Sequence, residues 1–145
     1  MANGSGRVAR ERPNGKNAAE PRLALVTAAS EDQALAIARA LVAERLAACV
    51  NLVAGVRSIY RWREAIEDDR EWLLLIKTTA ARFAALERRV RELHSYETPE
   101  VVALPIAEGS PPYLKWLTEM VAEPAAPPRP AGARRARLAR SGRNR

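Results

Sequence analysis

The segment His94-Ser95-Tyr96-Glu97-Thr98-Pro99-Glu100 holds the chain's one histidine, and Leu46-Ala47-Ala48-Cys49-Val50-Asn51-Leu52 holds its one cysteine. Metal and thiol chemistry must therefore pass through these two places. A neutral imidazole is a good ligand for copper, zinc or nickel. Glu97 and Glu100 sit beside His94 and offer oxygen donors. Cys49 is the best sulfur donor for a soft ion. Each residue also has a plainer reading. His94 ends a helical pattern, where a histidine interacts favourably with the last carbonyls. Cys49 opens an apolar strand, where a free thiol packs as a small hydrophobe. Glu97 and Glu100 read equally well as solvated carboxylates. Lys77 lies within Leu73-Leu74-Leu75-Ile76-Lys77-Thr78. Its ammonium must either meet an anion or reach water, since burial of an unpaired charge is costly. A closed Cys/His zinc site takes four ligands, so any metal site is mixed, weak or shared between subunits.

These residues need a scaffold, and the pattern supplies one. Leu23–Thr27 is a short buried strand. Ser30, with Gln33 three residues on, reads as a capping box. It opens a helix from Glu31 to about Leu46 whose stripe is Ala34, Leu35, Ala38, Leu41 and Val42. Ala48 to about Tyr60 is a second strand, with Gly55 marking a bulge or bend. Arg63–Arg70 is polar and reads as a connection, so the second and third strands form a hairpin. Glu71–Thr78 is the third strand. Phe83, Leu86, Val90 and Leu93 predict a helix from about Ala81 to His94. Glu100–Pro105 is the fourth strand, and Pro111 and Pro112 open a last helix through Val121.

The order β-α-β-β-α-β plus a helix predicts an α+β, ferredoxin-like sandwich with helices on one sheet face. The other face is apolar and bare, so another copy of the chain is expected to cover it. Tyr60, Trp62, Trp72, Tyr96 and Trp116 either pack such an interface or line a cleft within it.

Composition bounds the rest. The 145 residues suffice for one domain, expected at 22–123. Residues 1–21 and 124–145 are rich in Gly, Pro, Asn, Ala and Arg and read as disordered tails. The net charge of +7 comes from these tails. Residues 1–22 carry +3, residues 124–145 carry +7, and residues 23–123 carry −3. The arginine tail lacks interleaved aromatics, and specific nucleic-acid binding is not expected. A membrane-spanning run or a secretory signal is not expected, and a lone cysteine suits the cytoplasm. Enzymatic activity is not expected either, since no G-x-S-x-G, H-E-x-x-H or Gly-rich phosphate loop occurs.

The chain resembles the CutA divalent-cation tolerance family. The resemblance rests on Leu46-Ala47-Ala48-Cys49-Val50-Asn51, Gly55-Val56-Arg57-Ser58-Ile59-Tyr60 and Trp62. It continues through Leu75-Ile76-Lys77-Thr78, His94-x-Tyr96-Glu97-x-Pro99-Glu100, Leu104-Pro105 and Tyr113-Leu114-x-Trp116-Leu117. It implies a tight cytoplasmic homotrimer linked to tolerance of copper and other divalent ions. It implies metal binding, with His94, Cys49, Glu97 and Glu100 as ligands, and copper as the expected ion. Likeness to PII-type trimers implies an alternative, a small-molecule sensor whose inter-subunit cleft uses Lys77, Tyr96, Glu97 and Trp62. Three departures stand out. Glu64-Ala65 replaces a Gly-Lys pair in the hairpin, Ser95 replaces a proline, and Val26 stands where some members carry a second cysteine. A two-thiolate site within one subunit is thereby excluded.

Overall fold

The computed structural model describes residues 17–123, so the two expected tails lie almost wholly outside the described residues. The elements run β1 (Pro21–Ala28), α1 (Glu31–Ala43), β2 (Cys49–Trp62), β3 (Ala65–Thr79), α2 (Ala80–Leu93), β4 (Val101–Pro105) and α3 (Pro111–Val121). The four strands form one sheet in the order β2-β3-β1-β4, with every neighbouring pair antiparallel. This is the split βαβ arrangement that the element order predicts.

Residues 17–20, which composition assigns to a tail, are tied to the fold. The amides of Ala80 and Ala81 donate to the carbonyls of Glu20 and Ala18, each at 2.9 Å. The predicted end of α1 moves inward for a clear reason. At α1, Arg45 takes a left-handed φ of 57°. Leu46 then donates to the Leu41 carbonyl at 2.9 Å, and Arg45 donates to Val42 at 3.2 Å. These two bonds make a Schellman closure, so the helix stops before Leu46 and that side chain drops into the core. The buried stripe of α1 is Ala34, Ile37, Ala38 and Leu41, whereas Val42 is exposed. Ser30 accepts from the Gln33 amide at 3.2 Å, as half of a capping box requires.

The polar segment Arg63–Arg70, expected as a connection, is mostly strand. Trp62 pairs with Ala65, and the ladder runs back through Arg57↔Arg70. Only Arg63 and Glu64 form the turn. With Arg63 at φ 56°, this is a two-residue hairpin loop built without glycine. The segment is polar because the ribbon extends past the helices and has no buried face. An Arg57–Asp68 pair at 2.7 Å crosses it. Gly55, at φ 76°, lies in the register shift between Val53 and Val56, so the expected bulge is present.

The core lies between the helices and one sheet face. Its largest members are Ile37, Leu41, Leu74, Ile76, Leu86 and Val26, all fully buried. Alternation turns Leu23, Leu25, Leu73 and Leu75 to the other face. Val102 and Leu104, opposite Leu25 and Leu23, join them and are 47% and 51% exposed.

Candidate functional site

His94 follows α2, and its amide closes that helix on the Val90 carbonyl at 2.8 Å. The residue is 8% exposed. Nε2 meets the Thr27 carbonyl at 2.7 Å, while Nδ1 accepts from the Tyr96 amide at 3.0 Å. An acceptor at Nδ1 and a carbonyl at Nε2 require the neutral tautomer with its proton on Nε2. Both nitrogens are therefore used, one on β1 and one on the loop after α2. Gln33 holds the same loop from α1. Its side chain donates to the Leu93 carbonyl at 3.1 Å and accepts from the Ser95 amide at 3.0 Å. The side-chain half of the predicted capping box is thus replaced by a long-range tie.

Fixed this way, the loop turns Tyr96 toward the sheet. The rings of His94 and Tyr96 lie 4.6 Å apart, and Tyr96 donates its hydroxyl to Glu71 Oε2 at 3.1 Å. Glu71 is only 6% exposed, and none of the ion pairs among the described residues includes it. Burial first, then the Glu71 carboxylate, pushes the Tyr96 hydroxyl up to about 12. Across the gap, Tyr60 donates its hydroxyl to Asp69, and that bond above all pushes Tyr60 up to about 12.

Between loop and ribbon opens a cleft of about 590 Å³. Tyr96, Glu97, Thr98 and Glu100 form one wall, Ser58 to Tyr60 with Trp62 form the other, and Thr27 and Glu71 complete it. Four expected site residues, Trp62, Tyr96, Glu97 and Glu100, therefore meet. Trp72 instead packs against the main core, and Trp116 stacks on Tyr113 with ring centroids 5.5 Å apart.

Cys49 and Lys77 stand elsewhere. They pair directly across β2 and β3, with Lys77 Nζ 3.9 Å from Cys49 Sγ and donating to Asn51 Oδ1. Six residues of strand separate Lys77 from Glu71, about 20 Å at ~3.3 Å per residue. Within one chain, Cys49 and His94 thus cannot share an ion, and Lys77 does not reach the cleft carboxylates. Among the described residues no three His, Cys, Asp or Glu side chains converge as a metal site. One copy offers oxygen donors but no closed coordination sphere.

Glu71, Thr27, Ser58 and Gln33 are the residues that sequence reasoning misses. Glu71 had one available signal. It leads an apolar strand and shares the alternation of Leu73 and Leu75, which puts a carboxylate on the sheet's apolar face.

Known proteins share this arrangement. The profile of the CutA1 divalent ion tolerance protein family matches residues 22–120. The divalent-cation tolerance protein CutA of Thermus thermophilus is 58% identical over 95 residues, 66% of this chain and 92% of that protein. Its solved structure matches with a TM-score of 0.69 at 54% identity, over 70% of this chain and 99% of that one. The structure of a periplasmic CutA from Archaeoglobus fulgidus matches with a TM-score of 0.68 at 35% identity, over 70% and 99%. Protein CutA of Mus musculus is 50% identical over 97 residues, which are 67% of this chain and 55% of the mouse protein. The chain thus spans little more than half of that relative's length. With a profile match running from the start of β1 almost to the end of α3, the chain belongs to the CutA divalent-cation tolerance family, a family of tolerance proteins rather than enzymes.

Proposed function

We propose that this protein is a cytoplasmic homotrimer that binds divalent ions, copper foremost, and takes part in the response to them. The observation that carries the reading is the placement of Glu97 and Glu100 on one wall of a cleft beside an uncovered apolar sheet face. Two carboxylates are half a coordination sphere, and a neighbouring copy docked on that face brings the remaining donors. For a given set of donors, Cu²⁺ binds more tightly than the other first-row divalent ions, which supports copper. His94 joins such a site only by giving up the Thr27 carbonyl or the Tyr96 amide. Cys49, on the open face, serves as a soft donor only toward a neighbouring copy. Membrane attachment is no part of the proposal, and no helix among the described residues is long and apolar enough to cross a bilayer.

Calorimetric titration of chelator-stripped full-length protein with Cu²⁺ and Zn²⁺ tests this. Saturable heat is expected, tighter for Cu²⁺, and weakened about tenfold or more in Glu97→Gln/Glu100→Gln. Unchanged heat in that variant removes the cleft carboxylates from the site. A loss confined to His94→Ala moves the site to the imidazole.

The size and aromatic wall of the cleft favour a second reading, a small-molecule sensor of the PII kind using Trp62, Tyr96 and Glu97. Ligand pockets commonly enclose ~300–1,000 Å³. Lys77 contributes to such a cleft only from a neighbouring copy.

A further inference from the structure

The cleft differs from an ion cage in ways that specify a ligand. Glu71 is more than nine-tenths buried, and the Tyr96 hydroxyl is its one hydrogen-bond donor among the described residues. A phenol satisfies one oxygen but supplies no positive charge, and a buried carboxylate without a cation is costly to maintain. Glu97 and Glu100 stand exposed at the loop wall, so negative charge lies at two levels, one deep and one at the rim. The ribbon wall is chiefly apolar and aromatic. Trp62 already attracts a cation, with the Arg63 guanidinium carbon 5.7 Å from its ring centre, as the ring quadrupole predicts.

Within one copy, a compact divalent ion finds too few donors here. Such ions take six or more oxygen ligands at short range or retain much of their water, and no three donors converge here among the described residues. A ligand with separated positive centres and an apolar stem satisfies each element at once. We propose that the cleft binds an alkyl diamine or polyamine, one ammonium on Glu71 and a second on Glu97 or Glu100, with the methylene stem along Tyr60 and Trp62. This deepens the small-molecule reading and rests on it; it does not depend on metal binding.

The experiment is calorimetry on the full-length protein with EDTA present, which removes divalent ions. The probes are putrescine, spermidine, butylamine and 1,4-butanediol, the last a neutral analogue of putrescine. Putrescine and spermidine are expected to bind, butylamine more weakly, and the diol not at all. Affinity should fall as salt rises. Glu71→Gln should weaken spermidine at least tenfold, whereas Glu108→Gln, outside the cleft, should leave it unchanged. If Glu71→Gln does not fold, Glu97→Gln/Glu100→Gln at the exposed rim is the second variant, expected to lower spermidine affinity several-fold. Binding of the diol as tight as that of putrescine overturns the charge assignment but leaves a small-molecule cleft standing. Absence of binding by every amine overturns the proposal, as does spermidine binding that both variants leave intact.

Discussion

His94 commits both ring nitrogens to backbone partners, and this shapes the site more than any direct contact with a ligand would. Thr27 and Tyr96 are brought together by one neutral imidazole, and the Tyr96 hydroxyl is thereby aimed at Glu71. Burial at Tyr96 and the Asp69 carboxylate at Tyr60 leave a mark on these phenols that can be measured. Tyr96 and Tyr60 rise from 10.0 to about 12, and Tyr113 rises too, burial foremost and Cys49 next. A raised phenol holds its proton more tightly in the folded chain than in the unfolded one. Stability from these groups is therefore complete below pH ~10 and declines as pH climbs through 12. Tyr96 should dominate, because Tyr60 is exposed and its field is screened by water. Tyrosinate absorbance should show little ionisation near pH 10 in the folded protein. The urea midpoint should fall between pH 10 and 12, and in Tyr96→Phe that fall should shrink. Normal titration of both Tyr60 and Tyr96 would contradict the geometry of the cleft.

At the scale of elements, two arginines do a glycine's work. Arg45 closes α1 and Arg63 turns the hairpin, both with left-handed φ. An L-residue there costs about 1–2 kcal/mol, offset by about 0.5–1 kcal/mol because glycine loses more freedom on folding. Arg45→Gly should therefore stabilise the chain by up to ~1 kcal/mol. By the same balance Gly55→Ala should destabilise it by up to ~1 kcal/mol, although a methyl group there meets nothing within 4 Å. Thermal unfolding of both variants should show midpoints moving in opposite directions. The same elements explain what was legible in advance. Helices and core strands bury one face, so their periodicity appears in the sequence and fixes the fold class. Arg63–Arg70 buries none, so its strand character is hidden behind a composition like that of a loop. Trp62, Tyr96, Glu97 and Glu100 were readable as aromatic or acidic residues flanking known elements. Glu71 was the harder case, because a carboxylate at the start of an apolar run also reads as the strand's boundary, and only its alternation with Leu73 and Leu75 marks it. The separation of Cys49 from His94 was hidden too, since it follows from the pairing register and not from spacing along the chain.

For the whole molecule, the decisive feature is the face that the helices leave bare. Leu23, Leu25, Leu73 and Leu75 are only half-buried in a single copy, while Val53, Val102 and Leu104 are more than two-fifths exposed. Apolar surface removed from water contributes about 25 cal/mol per Å², and an apolar patch of this kind is a strong drive to association. Lys77 and Cys49 interrupt the patch at one end and the cleft bounds it at the other, so a partner seated on the leucines abuts both. Association and metal binding should then rise and fall together. Native mass spectrometry is expected to give three times the chain mass, persisting at micromolar dilution. Leu75→Glu puts a carboxylate at the centre of the patch, opposite Leu25 and Asn51. Its side chain reaches water in a lone copy, so the fold should survive while the trimer dissociates. Copper binding should weaken with it if donors come from two copies, whereas spermidine binding should be largely retained, because Glu71, Glu97 and Glu100 belong to one chain. A monomeric Leu75→Glu protein that kept full copper affinity would place the metal site within a single subunit and break the link between assembly and ion binding.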